Sequence, residues 1–292
     1  MKPVAFIGLG SMGLPMATNL VRRGFAVRGF DIAPAAMNAL VKQGGSSASS
    51  AKEVASGAEF LVLMVVNAEQ AENILFRDGA LDALTPGGLV VLMATCPPAG
   101  VERIAERVLA TGRRFLDAPV SGGVVGATGA TLTIMAAGPE EVFNTAKPVL
   151  QALGDRIFYV GKKPGQGAMA KTVNQLLCGV HLAVAAEALS LASKAGVDLK
   201  AMLEIVTGSS AASWMLKDRG PRMLEKNPNI TSAVDIFVKD LGIVLQAGDA
   251  IKAALPFAAL ARQLFLAVSG QGKGGVDDSQ VILAYQALNG PQ

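Results

Sequence analysis

The chain has 292 residues, of which 51% are apolar, 17% charged and 5% aromatic. So little charge excludes a disordered chain, and the length suits two domains with sizeable cores. Lys and Arg (26) against Asp and Glu (23) leave a net charge of +3 without a basic run, which argues against nucleic-acid binding.

Apolar runs predict strands at residues 4–7, 26–30, 60–66, 89–93, 114–117, 131–136 and 156–160. Helix-period segments fall at 14–23, 34–43, 68–75 and 99–110. Residues 60–66 are apolar throughout, as a parallel strand buried on both faces should be. After Gly161 a polar, turn-rich link runs to Gly167, and strand-like runs cease. A long helical pattern over 168–195 ends at Gly196, a suitable C-terminal glycine. Further helices are predicted at 199–206, 214–224, 236–253, 257–268 and 277–288. The uncharged stretch 118–139 is broken by glycines, and 172–186 is shorter than the roughly 20 residues a membrane span needs. The predicted first strand starts too early to leave room for a removable signal peptide, and the two cysteines, Cys96 and Cys178, read as reduced thiols. The expectation is a soluble, cytoplasmic protein with no membrane span.

Gly8-Leu9-Gly10-Ser11-Met12-Gly13 fits the dinucleotide-binding pattern G-x-G-x-x-G, between a predicted strand and a predicted helix. Gly8 permits the tight turn, Gly10 lets the backbone approach a pyrophosphate, and Gly13 lets helix and strand pack closely. The helix N-terminus favours the anion. Asp31, at the end of the second strand, can bind ribose hydroxyls and would repel a 2′-phosphate, which predicts NAD rather than NADP. The alternatives are a glycine turn without ligand, and an Asp31 that only caps the next helix. These features predict an α/β protein: an N-terminal doubly wound Rossmann-type domain, residues 1–162, and an all-helical domain, residues 163–292.

The glycine segment continues as Met16-Ala17-x-Asn19-Leu20. Three more motifs follow in order: Asp117-Ala118-Pro119-Val120-Ser121-Gly122-Gly123, Gly165-x-Gly167-x-x-x-Lys171-x-x-Asn174, and Phe237-Val238-Lys239-Asp240-Leu241-Gly242. Together they resemble the β-hydroxyacid dehydrogenases, which include 3-hydroxyisobutyrate dehydrogenase and tartronate semialdehyde reductase. Val65-Val66-Asn67-Ala68, Gly179-Val180-His181, Ala212-Ser213-Trp214-Met215 and residues 232–240 are similar to the L-threonate dehydrogenase branch.

The resemblance implies hydride transfer between NAD and a short hydroxy acid, with L-threonate oxidised at C2 the first expectation. It implies Lys171 as the catalytic lysine, and assigns substrate carboxylate binding to Ser121, Gly122 and Gly123. Lys239 is placed near nicotinamide and substrate, and Val65, Val66 and Thr95 near the cofactor. A free lysine titrates at about 10.4, so burial and nearby positive charge must lower that value before it can serve as a base. Asn174 and Gln175 share a helical face with Lys171, and either amide could hold the substrate hydroxyl; Asn174 is preferred. Trp214 reads equally as a pocket wall or a core residue. His181, the only histidine, reads as a core or interface residue, and no metal site is expected. The apolar helix at 168–195 and the resemblance both imply a homo-oligomer, a dimer or tetramer. A catalytically silent dinucleotide-binding protein is the alternative of a different class.

Overall fold

The computed structural model describes residues 3–290. The chain divides into two compact units, Met1–Lys171 and Thr172–Gln292. The division falls inside one helix, beyond the border expected at 162/163.

The first unit is built on one sheet. Strands β1 (Pro3–Ile7), β2 (Ala26–Phe30), β3 (Ser46–Ser47), β4 (Phe60–Leu63), β5 (Leu89–Leu92) and β6 (Arg114–Asp117) are parallel, in the spatial order 3-2-1-4-5-6. Strands β7 (Val120–Ser121) and β8 (Thr133–Ala137) join antiparallel, and β9 (Arg156–Gly161) pairs parallel with β8. The order reverses between β1 and β4, the switch point where doubly wound sheets bind ligands. Every residue of β4 and β5 is buried, so each Leu or Val there contributes roughly 1.5–3 kcal/mol. β4 is shorter than the predicted 60–66. Gln70 Oε1 accepts the Val66 N–H (2.9 Å) and Asn67 caps the next helix, which turns the chain out of the sheet.

Helices cover both faces: α1 (Gly13–Arg22), α2 (Pro34–Lys42), α3 (Ala51–Ala55), α4 (Ala68–Glu72), α5 (Ala80–Ala83), α6 (Pro98–Leu109), α7 (Gly123–Gly129) and α8 (Glu140–Leu153). Two buried apolar clusters form, one around Phe6, Phe60 and Leu116, the other around Leu61, Val90 and Phe115. Neighbouring strand residues divide between them, as the period-2 alternation of a strand requires. The sequence reading did not foresee α8, which carries Pro148 in its interior.

Helix α9 (Gln166–Lys194) starts in the first unit and continues into the second. At 29 residues it exceeds the predicted 168–195 run, and it is long and apolar enough to cross a membrane by length and composition. Leu182, Ala183, Ala185, Ala186 and Leu189 lie in the second unit's core, as in the core helix of a globular domain. The second unit adds α10 (Leu199–Thr207), α11 (Trp214–Met223), α12 (Val234–Ile251), α13 (Pro256–Val268) and α14 (Ile282–Asn289). Phe237 and Phe265 stack between α12 and α13, with ring centroids 5.0 Å apart. The turn before α14 is locked to α11 by two ion pairs. Arg219 Nε lies 2.8 Å from Asp278, and Arg222 Nη1 lies 3.1 Å from Asp277.

Candidate functional site

Strand register brings the predicted nucleotide residues to one edge. Ile7 pairs with Leu63, Leu63 with Leu92 and Leu92 with Asp117, so the segments after these four residues emerge side by side at the carboxyl end of the sheet. Gly8 follows β1, Val65 and Val66 follow β4, and Thr95 follows β5.

The three motif glycines differ in what constrains them. Gly8 has φ +94°, and a Cβ there would lie 2.3 Å from the Met64 carbonyl oxygen. A Cβ on Gly13 would lie 1.8 Å from the Gly8 carbonyl oxygen. Both are fixed by the fold. Gly10 is exposed, and a Cβ there meets nothing within 4 Å. Protein packing does not require glycine at that position; a ligand laid against the backbone would. Leu9 is buried, Ser11 is exposed, and Met12 caps α1 with no acidic residue in the first turn. The residues therefore fit a dinucleotide, whose pyrophosphate the exposed turn and the start of α1 would hold.

Asp31 does more than cap a helix. Its Oδ2 accepts the Leu9 N–H at 2.6 Å and its Oδ1 the Ala33 N–H at 2.8 Å, so the carboxylate lies against the glycine turn. Asn19, 7% exposed, donates from Nδ2 to the Ala127 carbonyl oxygen at 2.7 Å. That bond ties α1 to α7, whose start is the Ser121-Gly122-Gly123 segment, and gives the motif's asparagine a structural purpose. Ser121 ends β7, while Gly122 (φ +125°) and Gly123 (φ +61°) turn the chain into α7. This segment is a strand-to-helix corner that only glycine negotiates without strain.

Asp117, which sequence reasoning did not single out, is 1% exposed at the end of β6. Its Oδ2 accepts the Gly165 N–H (2.9 Å) and the Ala168 N–H (2.8 Å), pinning the first turn of α9 to the sheet edge. A Cβ on Gly167 would lie 2.6 Å from the Met135 carbonyl oxygen, which accounts for the second glycine of the lysine motif. Lys171, 7% exposed, follows on the same helix.

Burial pushes the Asp117 carboxyl up to about 7, against the pull of the backbone N–H groups of Ala168, Gly165 and Gly167. The folded state therefore holds a proton that the unfolded chain releases near 3.8. The stability this group contributes is complete below that value and is lost as pH rises towards 7, by up to about 1.4 kcal/mol per pH unit. Asp117→Asn keeps an oxygen for the helix start and removes the titration. Its melting temperature relative to the parent should rise between pH 5 and pH 8; parallel melting curves would contradict this.

In the second unit, Gln175 (8% exposed) donates from Nε2 to Asp240 Oδ2 at 2.5 Å. Lys239 Nζ lies 2.8 Å from Asp240 Oδ1. Asn174 Nδ2 donates to Gln175 Oε1 at 2.9 Å. Trp214 is 53% exposed at the start of α11, with the Arg219 guanidinium 5.9 Å from its ring, so it is not a core residue. His181 is exposed on α9, outside the core. Among the described residues, no three His, Cys, Asp or Glu are placed to hold a metal ion.

Residues 3–161 match the family model for the NAD binding domain of 6-phosphogluconate dehydrogenase. Residues 165–285 match that for the NAD-binding domain of NADP-dependent 3-hydroxyisobutyrate dehydrogenase. L-threonate dehydrogenase from Cupriavidus necator is 41% identical over 291 residues, 99% of this chain and 98% of that one. The chain belongs to the β-hydroxyacid dehydrogenases. A 3-hydroxyisobutyrate dehydrogenase from Pseudomonas aeruginosa is 38% identical, over 91% of each chain. The crystal structure of 3-hydroxyisobutyrate dehydrogenase from Salmonella typhimurium superposes with a TM-score of 0.92 at 39% identity, covering 97% of this chain and 99% of that one.

This dehydrogenase uses NAD and acts on a small hydroxy acid. Its four motifs separate into structural and chemical parts. Gly8, Gly13, Asn19, Asp117 and Gly167 hold the architecture. Gly10, Ser121, Lys171, Asn174 and Lys239 are the motif positions with chemistry to offer.

Proposed function

We propose that the enzyme oxidises L-threonate at C2 to the 2-oxo acid, with Lys171 as the proton acceptor. The observation carrying this reading is a lysine only 7% exposed, on a helix whose first turn is pinned to the nucleotide-binding edge of the sheet. Bound NAD supplies the acceptor for the hydride leaving C2. Lys171 Nζ takes the hydroxyl proton as that hydride leaves, and returns it in the reverse direction. Backbone N–H groups at Ser121, Gly122 and Gly123 hold the substrate carboxylate, with the Ser121 hydroxyl as a further donor. Asn174 would hold the reacting hydroxyl, and Lys239 and Trp214 would contact the substrate, as the resemblance implies. Gly8 to Gly13, Val65, Val66 and Thr95 line the cofactor. Asp31 receives its ribose hydroxyls and disfavours a 2′-phosphate.

A panel of three- to five-carbon hydroxy acids with NAD or NADP, followed at 340 nm, tests the assignment. L-threonate with NAD should give the highest kcat/KM, with NADP at least about tenfold poorer. Preference for 3-hydroxyisobutyrate, or for tartronate semialdehyde in the reducing direction, would move the substrate within the family. Silence across the panel with NADH still bound would favour the catalytically silent reading.

The enzyme is also proposed to be a homo-oligomer assembled through α9. Val173, Leu177, Val184 and Leu191 are 50–70% exposed and recur at spacings of four and seven, one apolar stripe along the helix. Light scattering should give a multiple of 29.9 kDa; the monomer mass would contradict it. The thiols of Cys96 and Cys178 suit a reducing compartment such as the cytoplasm.

A further inference from the structure

Asp240 lies on α12, sixty-five residues from Gln175 in sequence, and is 2% exposed. A carboxylate has no hydrogen to give, so whatever faces it must donate. Gln175 therefore turns its Nε2 towards Asp240 Oδ2, 2.5 Å away. Its carbonyl end, Oε1, is left to face the neighbouring asparagine. That end can only accept, so Asn174 must present Nδ2 to it, at 2.9 Å. One buried charge thus sets the direction of two successive amides.

The other Nδ2 hydrogen of Asn174 is directed to Cys178 Sγ at 3.4 Å. A thiol sulfur is a weak acceptor, readily exchanged for an oxygen. We infer that Asp240 is a positioning residue: acting through Gln175, it holds Asn174 as a hydrogen-bond donor towards the substrate's reacting oxygen. That polarity suits the chemistry. A hydroxyl that surrenders its proton to Lys171 gains negative charge on oxygen, and a donor aimed there stabilises the transition state more than the ground state. An acceptor in the same place would compete with Lys171 for the proton. Gln175, engaged at both ends, is the connector rather than a substrate ligand.

The inference rests on the reading of Lys171 and Asn174 above, and the panel's best substrate serves as its probe. Asp240→Asn can turn either end of its amide towards Gln175, so the direction is no longer fixed. Its kcat should fall by roughly 10–100-fold. The variant also removes the ion-pair partner of Lys239, so KM and NADH affinity shift as well, and the double variant separates the two effects because only the amide direction is restored by it. Combining Gln175→Glu with Asp240→Asn moves the acceptor-only group one step along the chain. Asn174 must then donate to Glu at position 175, and kcat should recover to within about fivefold of the parent. A merely structural Asp240 would not be rescued by adding a second disruptive change. An unaltered kcat in Asp240→Asn, or a double variant no faster than the single one, would overturn the proposal.

Neutron diffraction of the parent enzyme needs no variant to fold. Deuterium on Asn174 Nδ2 facing Gln175 Oε1 is expected, and an Asn174 carbonyl oxygen there would overturn the proposal. If Lys171→Ala retained full activity while the deuterium lay as expected, the assignment of the proton acceptor would fail and the amide ordering would stand.

Discussion

Lys171→Ala is expected to lower kcat with L-threonate roughly a thousandfold, within the range that a positioned acid–base group contributes. NADH affinity and melting temperature should change little by comparison. Removing the amine deletes the proton acceptor, whereas the glycine turn and Asp31 that would hold the nucleotide belong to β1, α1 and β2. The start of α9 is held by Asp117, which accepts the backbone N–H groups of Gly165 and Ala168. Lys171→Arg retains charge but cannot deprotonate near neutral pH, so it should be almost as inactive. Stopped-flow turnover and fluorescence titration with NADH check both halves. Retained turnover in either variant would remove Lys171 from the chemistry.

Gly10→Val should weaken NADH binding by about 100-fold or more, equivalent to about 2.7 kcal/mol, while the fold melts within a few degrees of the parent. A Cβ at Gly10 meets no protein atom within 4 Å, on the exposed turn against which the pyrophosphate would lie. Gly13→Ala should behave differently. Its single methyl would sit 1.8 Å from the Gly8 carbonyl oxygen, a backbone atom that cannot step aside without moving the end of β1. Overpacking of that kind costs about 1–3 kcal/mol or more, so thermal stability and NADH binding should fall together. The smaller substitution would do the greater damage to the fold. Calorimetry on both variants decides the point. A Gly10→Val protein that binds NADH normally would move the dinucleotide away from this turn.

The contrast between these glycines marks how far the sequence could be read. The pattern and its strand-to-helix setting were visible, because both depend on residues adjacent in the chain. Which glycine serves packing and which serves a ligand depends on Met64 and on the Gly8 carbonyl, and only the folded chain displays that. Asp117 and Asp240 stood inside motifs that were recognised, yet their purposes were not legible. Asp117 meets a backbone N–H 48 residues away, and Asp240 meets an amide 65 residues away. Asp240 follows Lys239 in the sequence and pairs with it, but its 2% exposure and its bond to Gln175 appear only in the folded chain. Two amides, Asn174 and Gln175, compete for one role in the sequence, and the bond from Gln175 to Asp240 is what supports the proposal of Asn174. Helix α8 escaped notice although its burial is strongly one-sided, with Val142, Phe143, Ala146, Val149 and Leu150 facing inward around Pro148.

The most direct test is a crystal structure of the enzyme with NADH and a non-reactive L-threonate analogue, reading the position of one nitrogen. Lys171 Nζ should lie within about 3.2 Å of the C2 hydroxyl oxygen, with that carbon over the nicotinamide ring. A Lys171 ammonium turned to solvent, with another side chain bonded to the hydroxyl, would contradict it.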